Sequence, residues 1–140
     1  YPSNAEDAKG LLKTACRMSD PVIFMEHKGL YRQGFAARPE PDSDFLLEFG
    51  RANIVQEGND ITIVTWGSQV HKSIESARNT GISTEIIDIR TINPLDIDTI
   101  MSKVSKKRNF LLRFKEKPWV ILRKKICGQG SFCKSSWRGI

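Results

Sequence analysis

Glu26 and His27 stand side by side, an acid and a base of the types that move protons in enzymes. They close an apolar run, Val22-Ile23-Phe24-Met25, where a local salt bridge or an interface role outweighs catalysis. The other histidine, His71, opens a helical stretch and reads as a partly exposed helix residue. Two histidines far apart in sequence give little support to a metal centre or a Cys–His pair. Cys127 and Cys133 have no second pair at zinc spacing. Gly67-Ser68 lies where a strand feeds a helix, so its amides could hold an anion. It lacks the G-x-G-x-x-G fingerprint, and capping of the helix by Ser68 is the plainer reading. Asp88 and Arg90, two apart on a strand, face the same side and suit an ion pair or a contact with a neighbouring domain.

The elements that must position these residues are legible from periodicity. Ile61 to Trp66 is a β-branched run, broken by Gly67-Ser68. Val70, Ile74 and Ala77 follow at helical spacing, and Gly81 stops the helix. Glu85 to Ile89 is a second β-branched run. After Asn93-Pro94, Ile97, Ile100, Met101 and Val104 repeat at helical spacing. Strand, helix, strand, helix implies parallel strands joined by a right-handed crossover. The expected fold is α/β, a three-layer α/β/α sandwich on a parallel sheet.

Upstream, Ser3 to Glu6 fits a capping box, with Ser3 as N-cap and Ala5, Ala8, Leu11, Leu12, Ala15 and Met18 along one helical face. Asp20-Pro21 ends that helix, and Val22 to Met25 reads as a buried strand. The Pro-rich stretch after Gly34 reads as a linker. Ala52 to Gln56 and Asn109 to Leu112 are further strand candidates, the latter parallel.

The chain opens on Tyr1 and reads as a piece of a longer protein. No apolar run approaches the length of a membrane helix, and three cysteines make no even disulfide framework. The net charge of +6 is unevenly placed. Residues 106–140 hold eleven lysines and arginines against one acid, Glu116, and the rest of the chain is acidic. Phe110, Phe114, Trp119, Phe132 and Trp137 lie among those cations. Such a tail suits single-stranded nucleic acid, although the acidic ordered region and the absence of a motif oppose that reading. Salt-dependent filter retention of oligonucleotides would test it.

Several stretches carry a resemblance. Asp7-Ala8-Lys9-Gly10-Leu11-Leu12, Asp20 to His27, Leu30-Tyr31, Glu57 to Val64, Trp66 to His71 and Ile87 to Asp96 resemble the beta subunit of 2-oxo acid dehydrogenase first components. These are thiamine diphosphate-dependent, transketolase-like enzymes of the pyruvate and branched-chain type. The likeness spans about residues 1–108. It implies the end of a pyrimidine-binding α/β domain at 1–33, a linker at 34–52, part of a transketolase C-terminal domain at 53–114, and a basic, disordered tail at 115–140. After about residue 108 the family's pattern is lost. That shift reads as a changed reading frame or a disrupted gene, which sequencing the locus in three frames would test. A non-functional truncated product is one alternative.

The resemblance implies oxidative decarboxylation of a 2-oxo acid and acyl transfer to lipoyl groups. It places the cofactor-activating glutamate and the catalytic histidine upstream of a segment like Tyr1, and the diphosphate and magnesium site in the alpha half. No catalytic or cofactor-binding residue is therefore carried onto this chain, and the chain alone is expected to be inactive. It implies as partners an alpha subunit or alpha half, a second beta copy and a dihydrolipoyl acyltransferase core, in the bacterial cytoplasm or the mitochondrial matrix. It also implies half of a potassium site, formed by main-chain oxygens of Ala15, Cys16, Met18 and Asp20. Met18 stands where the family usually has an acid.

Overall fold

The computed structural model describes residues 1–104 and two further strands, Asn109–Leu112 and Val120–Arg123. The chain begins with α1 (Ala5–Ala15). Two short 3-10 turns, Lys28–Leu30 and Gly34–Ala36, are the only regular elements between α1 and residue 53. Then come β1 (Asn53–Gln56), β2 (Ile61–Thr65), α2 (Ser68–Thr80), β3 (Thr84–Asp88), α3 (Ile97–Val104), β4 (Asn109–Leu112) and β5 (Val120–Arg123).

The sheet order is β1-β3-β2-β4-β5. β2 pairs in parallel with β3 through Ile61↔Thr84 to Thr65↔Asp88, and with β4 through Thr62↔Phe110 to Val64↔Leu112. The expected parallel layer and its third strand are present. The sheet as a whole is mixed, because β1 joins β3 and β5 joins β4 in antiparallel fashion. Antiparallel strands can sit at the edges of a parallel core because they need no crossover helix. The sequence reading assigned no strand to Val120–Arg123, where a short apolar run shows no period. Backbone pairing with β4 supplies what side-chain pattern does not.

Alternation along the strands builds the three layers. Ile86 meets Val70 and Ala77 of α2, with Val55 and Ile74 beside them. Val64, Ile87 and Ile89 meet Ile100 of α3, with Ala52 and Trp66. Successive residues of a strand point to opposite faces, so α2 and α3 cover opposite sides of the sheet. β3 is buried at all five positions, as a strand covered on both faces must be.

The first helix departs from expectation at both ends and along its face. Asn4, not Ser3, is its N-cap, and its side chain accepts from the Asp7 amide at 2.9 Å. Its buried residues are Asp7, Gly10 and Leu11, whereas Leu12 and Met18 are each 46% exposed. The helix docks by the Asp7–Gly10–Thr14 side. A Cβ on Gly10 would lie 2.7 Å from Leu47, and the Thr14 hydroxyl donates to the Leu47 carbonyl at 2.7 Å. Val22 to Met25 forms no strand. Ile23 is 87% exposed, because among the described residues no neighbouring strand pairs with this extended segment.

Candidate functional site

The densest polar cluster lies where the carboxyl ends of β2 and β3 meet α1. Open α/β sheets characteristically place their ligand sites at strand carboxyl ends. Thr65 and Asp88 end the two strands in register, and both are fully buried. Past β3 the chain turns at Arg90, whose φ of +55° is rare for a residue with a Cβ. Three bonds hold that turn. The Arg90 amide donates to Asp88 Oδ1 at 3.0 Å. The Arg90 carbonyl accepts from the Tyr1 ammonium at 2.8 Å. The Arg90 guanidinium donates to Asp7 Oδ1 at 2.7 Å.

Asp7 is 1% exposed, so this ion pair joins α1 to the sheet with its carboxylate withdrawn from water. Asp88 and Arg90 were expected to pair or to contact a neighbouring domain. The ion pair forms elsewhere: the Arg90 guanidinium goes to Asp7 of α1, and Arg90 bonds Asp88 only through its backbone amide. Burial pushes the Asp88 carboxyl up to about 6 against the opposing pull of the Ser3 hydroxyl and the Arg90 amide. Burial lowers the Tyr1 ammonium, while Asp88 and Asp7 pull it the other way. Ser3 and Asp7 were not foreseen as part of this cluster. The available signal was an acid on a helix whose apolar positions are mostly alanine, which leaves the polar side free to be the buried one.

Gly67, not Ser68, caps α2, with φ +54° and ψ −133° and no side-chain bond. A Cβ there would stand 2.2 Å from the Tyr1 ring. The helix start is thus covered by Tyr1. His71 is half-buried. Its Nε2 lies 2.7 Å from the Ser3 carbonyl, and its ring packs on Phe35 at 4.7 Å. It ties α2 to the first segment. Glu26 and His27 do not join this cluster. Glu26 accepts from the Tyr31 hydroxyl at 2.6 Å, and both residues line a cleft of about 500 Å³ with Arg32, Arg38 and the start of α1.

Ala15, Cys16, Met18 and Asp20, where the resemblance implied a potassium ion, lie at the end of α1 and in the segment after it. The Ala15 carbonyl accepts from the Met18 amide at 3.2 Å, and residues 16–20 are exposed. Exposed main-chain oxygens at a helix end fit a hard monovalent cation in donor type, with the Ala15 oxygen already engaged. Cys127 and Cys133 lie outside the described residues, as does most of the basic tail. Among the described residues no three His, Cys, Asp or Glu side chains are placed to hold a metal ion. Of the buried acids Asp7, Glu85 and Asp88, the first two are committed to basic side chains. Asp7 is held by Arg90, and Glu85 by Thr62 at 3.0 Å and by Lys103 at 3.4 Å. No reaction step is assigned to the described residues. Their arrangement can fasten two segments together.

The family described as transketolase, C-terminal domain, matches residues 50–118. The pyruvate dehydrogenase E1 component subunit beta of Bacillus subtilis (strain 168) is 47% identical over 109 residues, which cover 75% of this chain and 33% of that protein. The protein of the same name from Staphylococcus aureus (strain Mu50) is 44% identical over the same shares. A solved structure titled "Split gene transketolase, inactive beta4 tetramer" superposes with a TM-score of 0.61 at 25% identity, over 79% of this chain and 36% of its own. The chain spans about a third of the length of the curated relatives it matches.

Proposed function

We propose, from the premise that the chain belongs to the transketolase-like family of 2-oxo acid dehydrogenase beta subunits, that it serves in the decarboxylating first component of a pyruvate-type complex. The observation that carries this reading is the 47% identity to a pyruvate dehydrogenase E1 beta subunit. In this reading residues 1–33 close a pyrimidine-binding domain, 34–52 link, and the sheet from 53 onward is the C-terminal domain. Its contribution is structural. The α1 segment is held against the sheet by Asp7–Arg90 and by His71, which fixes how the two parts meet.

Thiamine diphosphate and magnesium belong, in this proposal, to the assembled enzyme and its alpha subunit. A second beta copy and an acyltransferase core complete the partners, and the bacterial cytoplasm is the compartment. Potassium at the main-chain oxygens of Ala15, Cys16, Met18 and Asp20 is part of the same proposal. It would neutralise the partial negative charge of the α1 terminus.

Affinity capture of the chain from its own cells tests the assignment. Recovery of an alpha subunit and a lipoyl acyltransferase is expected, and capture without either overturns it. The purified chain, given thiamine diphosphate, magnesium and pyruvate, is expected to show no decarboxylation above the cofactor alone. Turnover above that level would contradict a purely structural part.

A further inference from the structure

Four buried polar atoms on β2, β3, the turn after β3 and the start of α2 have no hydrogen-bond partner among the described residues: Thr65 Oγ1, Gln69 Oε1, Asp88 Oδ2 and Arg90 Nε. Native proteins rarely leave such atoms unbonded, because each costs its full desolvation. The backbones that carry them are adjacent. Thr65 and Asp88 are register partners on adjacent strands, so their side chains stand on one face. The Arg90 amide is bonded to the other oxygen of Asp88. Gln69 lies in the first turn of α2, directly after the end of β2.

We propose that Thr65, Gln69, Asp88 and Arg90 bind one ordered water molecule, which fastens the end of the sheet to the first turn of α2. The chemistry of the four atoms selects the ligand. Asp88 Oδ2, when ionised, and Gln69 Oε1 can only accept, Arg90 Nε–H can only donate, and the Thr65 hydroxyl does either. A water offers two hydrogens and two lone pairs, so it satisfies all four at once. A metal cation would leave the Arg90 donor unsatisfied. It would also stand beside the Arg90 guanidinium, whose positive charge opposes a second cation. Buried waters of this kind typically make about three such bonds.

The sign of one substitution separates this proposal from a truly unbonded hydroxyl. Thr65→Val keeps the shape and removes the hydroxyl at a position with 0% exposure. If the water is bound, the melting temperature falls by about 4 °C. If Thr65 Oγ1 has no ligand, the change is nil or upward, which overturns the proposal. Gln69→Met makes the same test from α2 should the valine variant not fold. A crystal structure of the unaltered chain at neutral pH is the second readout. It is expected to show one water in hydrogen-bond contact with Asp88 Oδ2 and at least two of the other three atoms. Direct side-chain bonds with nothing between them, or an ion with only oxygen neighbours, would exclude it.

Discussion

Asp88 is a fully buried acid whose ionisation bears on stability. Its folded carboxyl titrates near 6 and its ordinary value is 3.8, so the folded state binds the proton more tightly than the unfolded one. The stability it contributes is full below about pH 4 and is lost as the pH rises through 6. The loss approaches roughly 3 kcal/mol by pH 7. The charged groups facing it are Asp7, Arg90 and the Tyr1 ammonium. Unfolding free energies at pH 4 and pH 7 check this, and Asp88→Asn is expected to remove the difference across that window. Arg90 is the complementary case. Arg90→Leu leaves Asp7 charged and buried, and the expected cost is about 3 kcal/mol. A double-mutant cycle with Asp7→Asn should return most of that cost, because the second change removes the stranded charge.

At the scale of elements, the joints between helix and sheet are the sensitive places. Gly67→Ala must place a methyl group against the Tyr1 ring at a backbone conformation that only glycine takes easily. The expected destabilisation is about 2 kcal/mol, measured by urea unfolding. It should be accompanied by increased quenching of the Tyr1 fluorescence as the ring is displaced into solvent. On the other face, Lys103 of α3 reaches Glu85 at 3.4 Å and Glu57 at 3.8 Å. Glu85 is 2% exposed, so Lys103→Met is expected to cost more than Glu57→Gln, whose side chain is 82% exposed. The comparison weighs a buried pair against an exposed one.

For the whole molecule, order should follow backbone pairing. The amides of Ile63, Val64, Ile86 and Ile87 lie in parallel ladders within the core. Residues 21–27 belong to no helix or strand. Hydrogen exchange is expected to be slowest in β2 and β3 and fast across 21–27. Equal protection of the two regions would mean that the extended segment has a partner in solution, and a second copy of the chain would then be sought by sedimentation.

The sequence by itself determined the layer from Asp60 to Val104. There period-two runs such as Ile61–Thr65 alternate with helical spacing, and each element's own pattern names the face it buries. It also determined the family resemblance, which rests on ordered short stretches rather than on any one residue. Only the tertiary structure decided which side of α1 is inside. The expected face of Ala5, Ala8, Leu11, Leu12, Ala15 and Met18 buries Leu11, but docking against Leu47 and Arg90 brought in Asp7, Gly10 and Thr14 and left Leu12 and Met18 exposed. The reason is that a polar residue is buried only when a distant partner meets it, and a partner 83 positions away leaves no trace in local spacing. The same holds for Val22 to Met25, whose apolar run states a tendency to pair but cannot supply the neighbouring strand.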